Sequence, residues 1–454
     1  VPNTGKAKLS ADSHRIQKTA MPKFTVLTFL LYLGLHLAAG FYIYRKAAQL
    51  LEHFHLQNLK RSKRIAASVI ALLMALPTLG FALNRVEDLR GSIITQTVFL
   101  IGSAWILWLL LAFAIFVPAD AVVWLFRGVG ALAKKIAQRL QTHAYQAPVI
   151  EDGHASKAPV VLEAKQDHLA NAIHRSRREF LKKVAPLSLG FAAPSVITGY
   201  SIINNRTDFI INRMTLRFPH LPASLRGLKI VQVSDIHSGP YMTQRNMEEI
   251  TEAINACYPD LVALTGDFVA TQKDEIEPFV KGFRHLKSTF GTFACAGNHD
   301  EWVGLEYFTA AMQAHGERLL RNETAVLKIS GDKLNVIGID FARSNPNLLE
   351  KALKQADPEG FNLLLCHYPD YFTTAKTAGI DLMLAGHTHG GQISLDLAGV
   401  EVYPIDLFYK YPRGLYEEGE KGGQKLYVNL GVGFSATPIR TVSPEIAVIT
   451  LMDA

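Results

Sequence analysis

Three uncharged apolar runs constrain this chain before anything else does. Residues 24–44, 65–84 and 91–119 contain no Asp, Glu, Lys or Arg. At about 1.5 Å per residue, each is long enough as a helix to cross a hydrocarbon core about 30 Å thick. Charges sit only on their flanks, which is the pattern of membrane spans rather than of buried helices in a water-soluble domain. Pro77 and the internal glycines are compatible with that environment. His36 and Asp120 read as interfacial or packing residues.

Loop charge gives an orientation, because short Lys- and Arg-rich loops stay in the cytoplasm. The 45–64 segment carries Arg45, Lys46, Lys60, Arg61, Lys63 and Arg64 against Glu52, whereas 85–90 is balanced by Glu87 and Asp88. The first loop is therefore expected inside and the second outside. Residues 127–183 return to the cytoplasm, with a linker over about 141–173. Five basic residues in 1–23 oppose this topology, and "MPKF" at Met21 offers an initiator that removes most of the conflict. A fourth uncharged stretch, 184–203, is diluted by Pro186, Ser188, Gly190, Pro194 and Gly199. The preceding "SRREFLKK", with Ser176, Arg177, Arg178, Phe180, Leu181 and Lys182, resembles a twin-arginine export signal. The alternative is that these basic residues anchor a fourth helix. Either reading leaves the rest of the chain outside the cytoplasm.

Charge divides the chain at this point. Residues 1–206 hold 25 Lys and Arg against 10 Asp and Glu, and residues 207–454 hold 22 against 30. An acidic C-terminal part argues against nucleic acid as its partner, since phosphate-backbone binding needs a basic face. Cys257, Cys295 and Cys366 are too widely spaced for a disulfide framework or a CxxC metal site.

From Asp208 onward, short β-rich runs alternate with amphipathic stretches. "LKIVQVSD", "DLVALTGD", "LNVIGID", "FNLLLCH", "IDLMLAGH", "KLYVNLG" and "EIAVITL" read as strands. Residues 244–257, 276–288, 305–315 and 347–356 read as helices. Such alternation predicts a layered α/β or α-β-β-α domain.

Ligand-type residues cluster just after those strands: Asp235 and His237 in "SDIH", Asp267 in "TGDF", Asn298, His299 and Asp300 in "GNHD", His367 in "CHYPD", His387 and His389 in "AGHTHGG". If DxH and HxH lie on extended backbone, residues i and i+2 share a side, and each pair converges on one ion. The carboxylate, imidazole and amide set suits Mn, Fe or Zn better than Ca. Arg343, Arg413 and Arg440 are candidates for phosphate contact through the guanidinium fork.

The ordered blocks DxH, GD, GNH[DE], H and GHxH make residues 225–454 resemble the calcineurin-like metallophosphoesterases. "GHTHGGQ" and "NLGVGFSATPIR" are similar to a membrane-associated branch with transmembrane metallophosphoesterases and UDP-2,3-diacylglucosamine pyrophosphatases. One departure is Ala270, where the family often has the second aspartate of GDxxD. The resemblance implies an α/β (α+β) four-layer fold, a β-sandwich flanked by helices, here preceded by an α-helical membrane region. It also implies two divalent metal ions: Asp235, His237 and His389 on one, Asn298, His367 and His387 on the other, and Asp267 bridging. His299 is implied as the catalytic residue that is not a ligand, with Asp300 orienting its imidazole or capping the next helix.

The expected domains are a membrane region (1–140), a linker (141–173), the signal-like segment with a fourth span (174–206) and the phosphoesterase domain (207–454). The expected function is hydrolysis of phosphodiesters or lipid-linked phosphates by metal-activated water, outside the cytoplasmic membrane, with the twin-arginine translocase as a partner. Alternatives are a UDP-2,3-diacylglucosamine pyrophosphatase, whose substrate is cytoplasmic, and an inactive binding scaffold.

Overall fold

A computed structural model of the chain describes residues 23–54, 58–83, 86, 89, 92–142, 184–203, 208–314, 317–341, 345–397, 400–419, 423–435 and 438–454. The twin-arginine-like stretch, the linker beyond Thr142, Met21 and Arg343 lie outside these. The chain divides into two compact units, Val1–Ala75 with Phe126–Leu189, and Leu76–Leu125 with Gly190–Ala454.

The apolar runs form helices α1 (Lys23–His53), α2 (Leu59–Leu83), α3 (Ile93–Thr142) and α4 (Ala185–Ile203). Leu59–Leu83, Ile93–Lys135 and Ala185–Ile203 are long and apolar enough to cross a membrane. The third run was expected to end at 119, but its helix continues to Thr142 through Pro118 and Asp120. A single proline removes one hydrogen bond, and the following Ala-, Leu- and Lys-rich sequence has no second proline to stop the helix. Small residues mark the helix contacts. A Cβ on Gly40 would lie 2.7 Å from Met74 Sδ in the first unit, and one on Gly102 would lie 2.8 Å from Pro77 Cα in the second.

The C-terminal part of the second unit holds two six-stranded sheets. In chain order the strands are β1 (Ile210–Phe218), β2 (Lys229–Val233), β3 (Leu261–Thr265), β4 (Thr292–Cys295), β5 (Arg318–Leu319), β6 (Glu323–Ile329), β7 (Asp332–Gly338), β8 (Phe361–Leu365), β9 (Leu382–Ala385), β10 (Leu395–Leu397), β11 (Val400–Val402), β12 (Gly414–Glu418), β13 (Gln424–Val428) and β14 (Glu445–Asp453). The first sheet runs β1-β14-β2-β3-β4-β5 and the second β12-β13-β9-β8-β7-β6, with β10 and β11 as a separate hairpin. β2 to β5 are mutually parallel, as are β7, β8, β9 and β13. Strands in such parallel cores are covered on both faces, and "LVALT" of β3 is buried at every position.

Between the sheets, Ile230, Leu261, Ala263, Leu363, Leu365, Leu384 and Ile449 interdigitate in one apolar layer. Two further clusters lie on the outer faces, beneath the flanking helices. The result is the expected four-layer α-β-β-α sandwich. Its helices include α5 (Gln244–Ala256), α6 (Ile276–Phe283), α7 (Asn298–Val303), α8 (Leu305–Ala314) and α9 (Pro346–Leu353). In α5, Met247, Ile250, Thr251 and Ile254 recur at helical spacing and are buried. Thr243 and Asn246 close its first turn as a capping box: Asn246 Oδ1 accepts from Thr243 N at 3.0 Å, and Thr243 Oγ1 from Asn246 N at 3.4 Å. The buried Gln232 ties the sheets together, donating to Thr265 Oγ1 and to Ala385 O at 2.9 Å each.

Because the inter-sheet layer is close-packed, Leu363→Ala is expected to cost about 2–5 kcal/mol. Urea unfolding of the wild type and the variant measures that difference.

Candidate metal centre

Every ligand-type cluster follows the C-terminal end of a parallel strand: Asp235 and His237 after β2, Asp267 after β3, Asn298 after β4, His367 after β8, His387 and His389 after β9. The two sheets therefore deliver their chemistry to one edge. Asp235, His237 and His389 form one group whose ligand atoms all lie within 4.8 Å of one another, and Asp267, His367 and His387 form a second. His237 Nε2 and His389 Nε2 are 3.1 Å apart, and His389 Nε2 is 3.2 Å from Asp235 Oδ1. Asp267 Oδ2 stands between the groups, 3.1 Å from His367 Nε2 and 3.7 Å from His237 Nε2.

The local backbone differs from the extended geometry expected for DxH and HxH. Asp235, His237, Asp267, His387 and His389 all have positive φ, between 50° and 75°. Only nine non-glycine residues among those described do so. Left-handed backbone costs a non-glycine residue of order 1–3 kcal/mol and persists where the surroundings over-determine it. One consequence is that His387 and His389 do not converge on a single group. His389 faces Asp235, while the His387 ring packs on His367 with centroids 5.1 Å apart.

Several residues hold this backbone. The Asp300 carboxylate accepts from four amides: Gly297 N and Phe268 N at 2.8 Å, Asp267 N at 2.9 Å and Val269 N at 3.4 Å. It thereby ties the "TGDF" loop to the "GNHD" turn and caps the start of α7. The expectation that Asp300 orients the His299 imidazole gives way here, because His299 Nδ1 donates to the carbonyl of Ala270. That carbonyl belongs to the position where the sequence departs from GDxxD. Gly386 allows the closest approach: a Cβ there would lie 1.8 Å from Ser234 Oγ and 2.3 Å from Asp235 Oδ2.

Arg440 also departs from expectation. It is fully buried and donates to the carbonyls of Leu430, Gly433 and Val442 at 2.6 to 2.7 Å, and to Gly431 O at 3.0 Å. Its guanidinium clamps the "NLGVGF" segment rather than facing the ligand cluster, and a Cβ on Gly431 would lie 2.7 Å from Asp235 Cβ. Arg413 pairs with Asp406 and lies 3.5 Å over the Tyr403 ring. Neither arginine stands free for phosphate.

The donor set fits a cation. Asn298 Oδ1 is a buried polar atom without a hydrogen-bond partner, and His237 Nε2 and His389 Nε2 face each other beside Asp235 Oδ1 and Asp267 Oδ2, a costly arrangement unless a cation satisfies the site. Burial pushes His237 down to about 3 and His389 well below the ordinary imidazole range, which keeps both neutral as ligands must be. Burial raises Asp235 to about 6. Burial alone would lower His367, but the Asp267 and Asp235 carboxylates lift it to about 10. The same pairing with His367 holds Asp267 below the usual carboxylate range against the effect of burial. Without an ion, the two carboxylates thus draw a proton onto His367.

Sequence reasoning missed the aromatic wall around His387. Tyr409 Oη lies 3.2 Å from His387 Nε2, and the rings of Phe341 and Tyr368 pack at 5.5 and 5.4 Å. Trp302, two-thirds exposed, sits 4.4 Å from the His299 ring. These residues carry no motif, because distant segments contribute them.

Comparison with known proteins agrees with this geometry. The family model described as calcineurin-like phosphoesterase matches residues 228–391. An uncharacterized metallophosphoesterase of Bacillus subtilis (strain 168) is 31% identical over 287 residues, 61% of this chain and 97% of that one. A transmembrane protein with metallophosphoesterase domain from Bos taurus is 28% identical over 269 residues, 56% of this chain and 59% of its own length. Among solved structures, a 5'-nucleotidase precursor from Thermus thermophilus aligns with 49% of this chain and 54% of its own, at 15% identity and a TM-score of 0.31. The chain belongs to the calcineurin-like metallophosphoesterases, metal-dependent hydrolases of phosphoric esters.

A cation must displace the proton on His367 and, at low pH, the one on Asp235. Mn²⁺ affinity is therefore expected to fall as pH drops from 8 to 6, by about tenfold per unit for each proton displaced. Calorimetric titration at several pH values checks this.

Proposed function

We propose that this chain is a membrane-tethered phosphoesterase that uses two divalent ions to hydrolyse phosphodiesters or lipid-linked phosphates outside the cytoplasmic membrane. The observation that carries the reading is Asp267, one carboxylate oxygen of which faces an imidazole from each ligand group, at 3.1 and 3.7 Å. Asp235, His237 and His389 would hold one ion and Asn298, His367 and His387 the other, with Asp267 shared. Mn, Fe or Zn suits this nitrogen and oxygen set. Ions bound there supply Lewis acidity, making a water nucleophilic near neutral pH and offsetting charge on the transferring phosphoryl group.

The protein's own residues do the rest. Donation of His299 Nδ1–H to Ala270 O fixes the ring, so that Nε2 is the atom left for the substrate. From that position it stabilises a phosphoryl oxygen or protonates the leaving alkoxide, a contribution of roughly 10² to 10⁴ in rate. Asp300 acts at one remove, by holding the loops that carry Asp267 and His299.

Hydrolysis of bis(p-nitrophenyl) phosphate with added Mn²⁺ tests the reading. Asp267→Asn and His299→Ala are expected to lose at least about 10² in kcat/KM, and chelation to abolish turnover. Activity in both variants equal to wild type would place the chemistry elsewhere, and an inert wild type would favour the binding scaffold.

Loop charge and a contact at the start of α3 support the sidedness. Gln96 Nε2 donates to Pro240 O at 3.4 Å, and the Phe99 and Tyr241 rings meet at 5.9 Å. Residues near 92 and the catalytic domain thus share a side, and the charge-balanced 85–90 loop belongs outside. The twin-arginine-like stretch offers an export route that would let the domain fold and load its metal before crossing. A topology reporter fused after Ala454 should read outside in wild type and inside in an Arg177→Lys, Arg178→Lys variant. A wild-type signal from inside would favour the UDP-2,3-diacylglucosamine pyrophosphatase, and unchanged export in the variant would remove the twin-arginine route.

A further inference from the structure

A loop anchored on the metal centre presents apolar side chains that the fold leaves in solvent. Residues 403–413 connect β11 to β12. At one end Ile405 packs on Gly391, where an added Cβ would lie 2.8 Å from Ile405 Cβ, two residues after His389. At the other, Tyr409 meets His387 Nε2, and Arg413 folds back over Tyr403 and Asp406. Between these anchors Leu407 is 85% and Phe408 77% exposed, among the most exposed large apolar side chains described. Val400 and Val402 of the preceding hairpin are also exposed, as is Lys410, whose ammonium lies 4.8 Å from the Tyr411 ring. Folding does not account for two large apolar side chains held out by a loop so firmly based. Apolar residues beside a cation are the composition of a segment that enters a lipid interface.

The occupant follows from the same compact unit. The first turn of α3, an apolar helix long enough to span a bilayer, touches Pro240 and Tyr241, three and four residues after His237. Tyr241 in turn packs on Phe434 at 6.4 Å, next to Gly433, which passes against the Ile236 carbonyl. One short loop therefore links the ligand cluster to the end of a membrane helix. This keeps the catalytic face at the membrane surface rather than far from it.

We propose that Leu407 and Phe408 insert into the leaflet of the chain's own membrane and bring the metal centre against the phosphate of a membrane-borne lipid. The proposal rests on the membrane-tethered phosphoesterase reading and names its substrate class. In this arrangement the acyl chains stay in the bilayer beside Leu407 and Phe408, while the headgroup phosphate reaches the cluster past Tyr409.

The test uses the full chain in vesicles of phosphatidylethanolamine and phosphatidylglycerol. Cys257, Cys295 and Cys366 are buried, so a nitroxide reacts selectively with an introduced Phe408→Cys. Glu249→Cys on the exposed face of α5 is the reference. At 408 the label should collide more with lipid-soluble oxygen than with an aqueous nickel chelate, and at 249 the reverse should hold. A label at 408 as open to the chelate as that at 249 would overturn the proposal. So would one shielded from both reagents, since a protein partner or a second copy would then cover the loop.

A Leu407→Ser, Phe408→Ser double variant adds a kinetic arm. It should lose at least about tenfold in hydrolysis of a diacyl-chain p-nitrophenyl phosphodiester in those vesicles, yet stay within about twofold on the soluble diester. An unchanged rate on the lipid probe contradicts the insertion. The label reports docking without turnover, so a protein inert toward the soluble diester sinks the phosphoesterase reading alone.

Discussion

The structure depends on holding several ionisable side chains together, out of water, on backbone that resists the required shape. Five of the proposed ligands sit at positive φ. Their left-handed conformations aim side chains from both sheets at one point, and none is stable on local grounds. The stabilisation comes from Asp300 and Arg440, two buried ionisable groups that bond to loop backbone. Asp300 gathers amides from the loops after β3 and β4, while Arg440 gathers carbonyls from the segment behind Asp235. One accepts and the other donates, so complementary halves of the loop backbone are fixed by two buried side chains. Glycines set the spacing: at 386 even a methyl group would collide with Ser234 and Asp235.

Much of this was legible in the sequence, for identifiable reasons. β2, β3, β8 and β9 announced themselves as short apolar runs because both faces of a parallel strand are buried. The ligands stood out because their chemistry admits few residue types, and because each follows a strand end. By contrast, β1 reads "IINRMTLRF", an edge strand whose apolar alternation is confined to Met214, Leu216 and Phe218, and β4 spans only "TFAC", so each gave only a short signal. Of the two readings open for Asp300, the structure shows the helix cap; its bonds to the amides of Asp267, Phe268 and Val269, and the burial of Arg440 among nearby carbonyls, leave no trace in spacing. An arginine looks like a phosphate ligand until its donors are seen to be engaged, here by four backbone carbonyls. The local φ of the DxH and HxH pairs was likewise invisible, since left-handed backbone is normally signalled by glycine, and here aspartate and histidine adopt it.

The apolar helices and the metallophosphoesterase domain share a logic of close approach. Gly102 lets α3 pack against Pro77, and the first turn of α3 then meets the loop that follows His237. On the membrane-tethered reading, an acidic domain held in this way against α3 needs no basic face of its own to stay near the bilayer. Among the described residues, Tyr409, Tyr368 and Phe341 line the His387 side of the cluster.

The central claim is that Asp267 serves two ions at once. Electron paramagnetic resonance of the full chain loaded with Mn²⁺ addresses it directly. The account predicts two manganese ions per chain with the multiline signal of an exchange-coupled pair, and an uncoupled six-line spectrum in Asp267→Asn. A wild-type protein that binds a single ion, or two ions with no coupling, would contradict it.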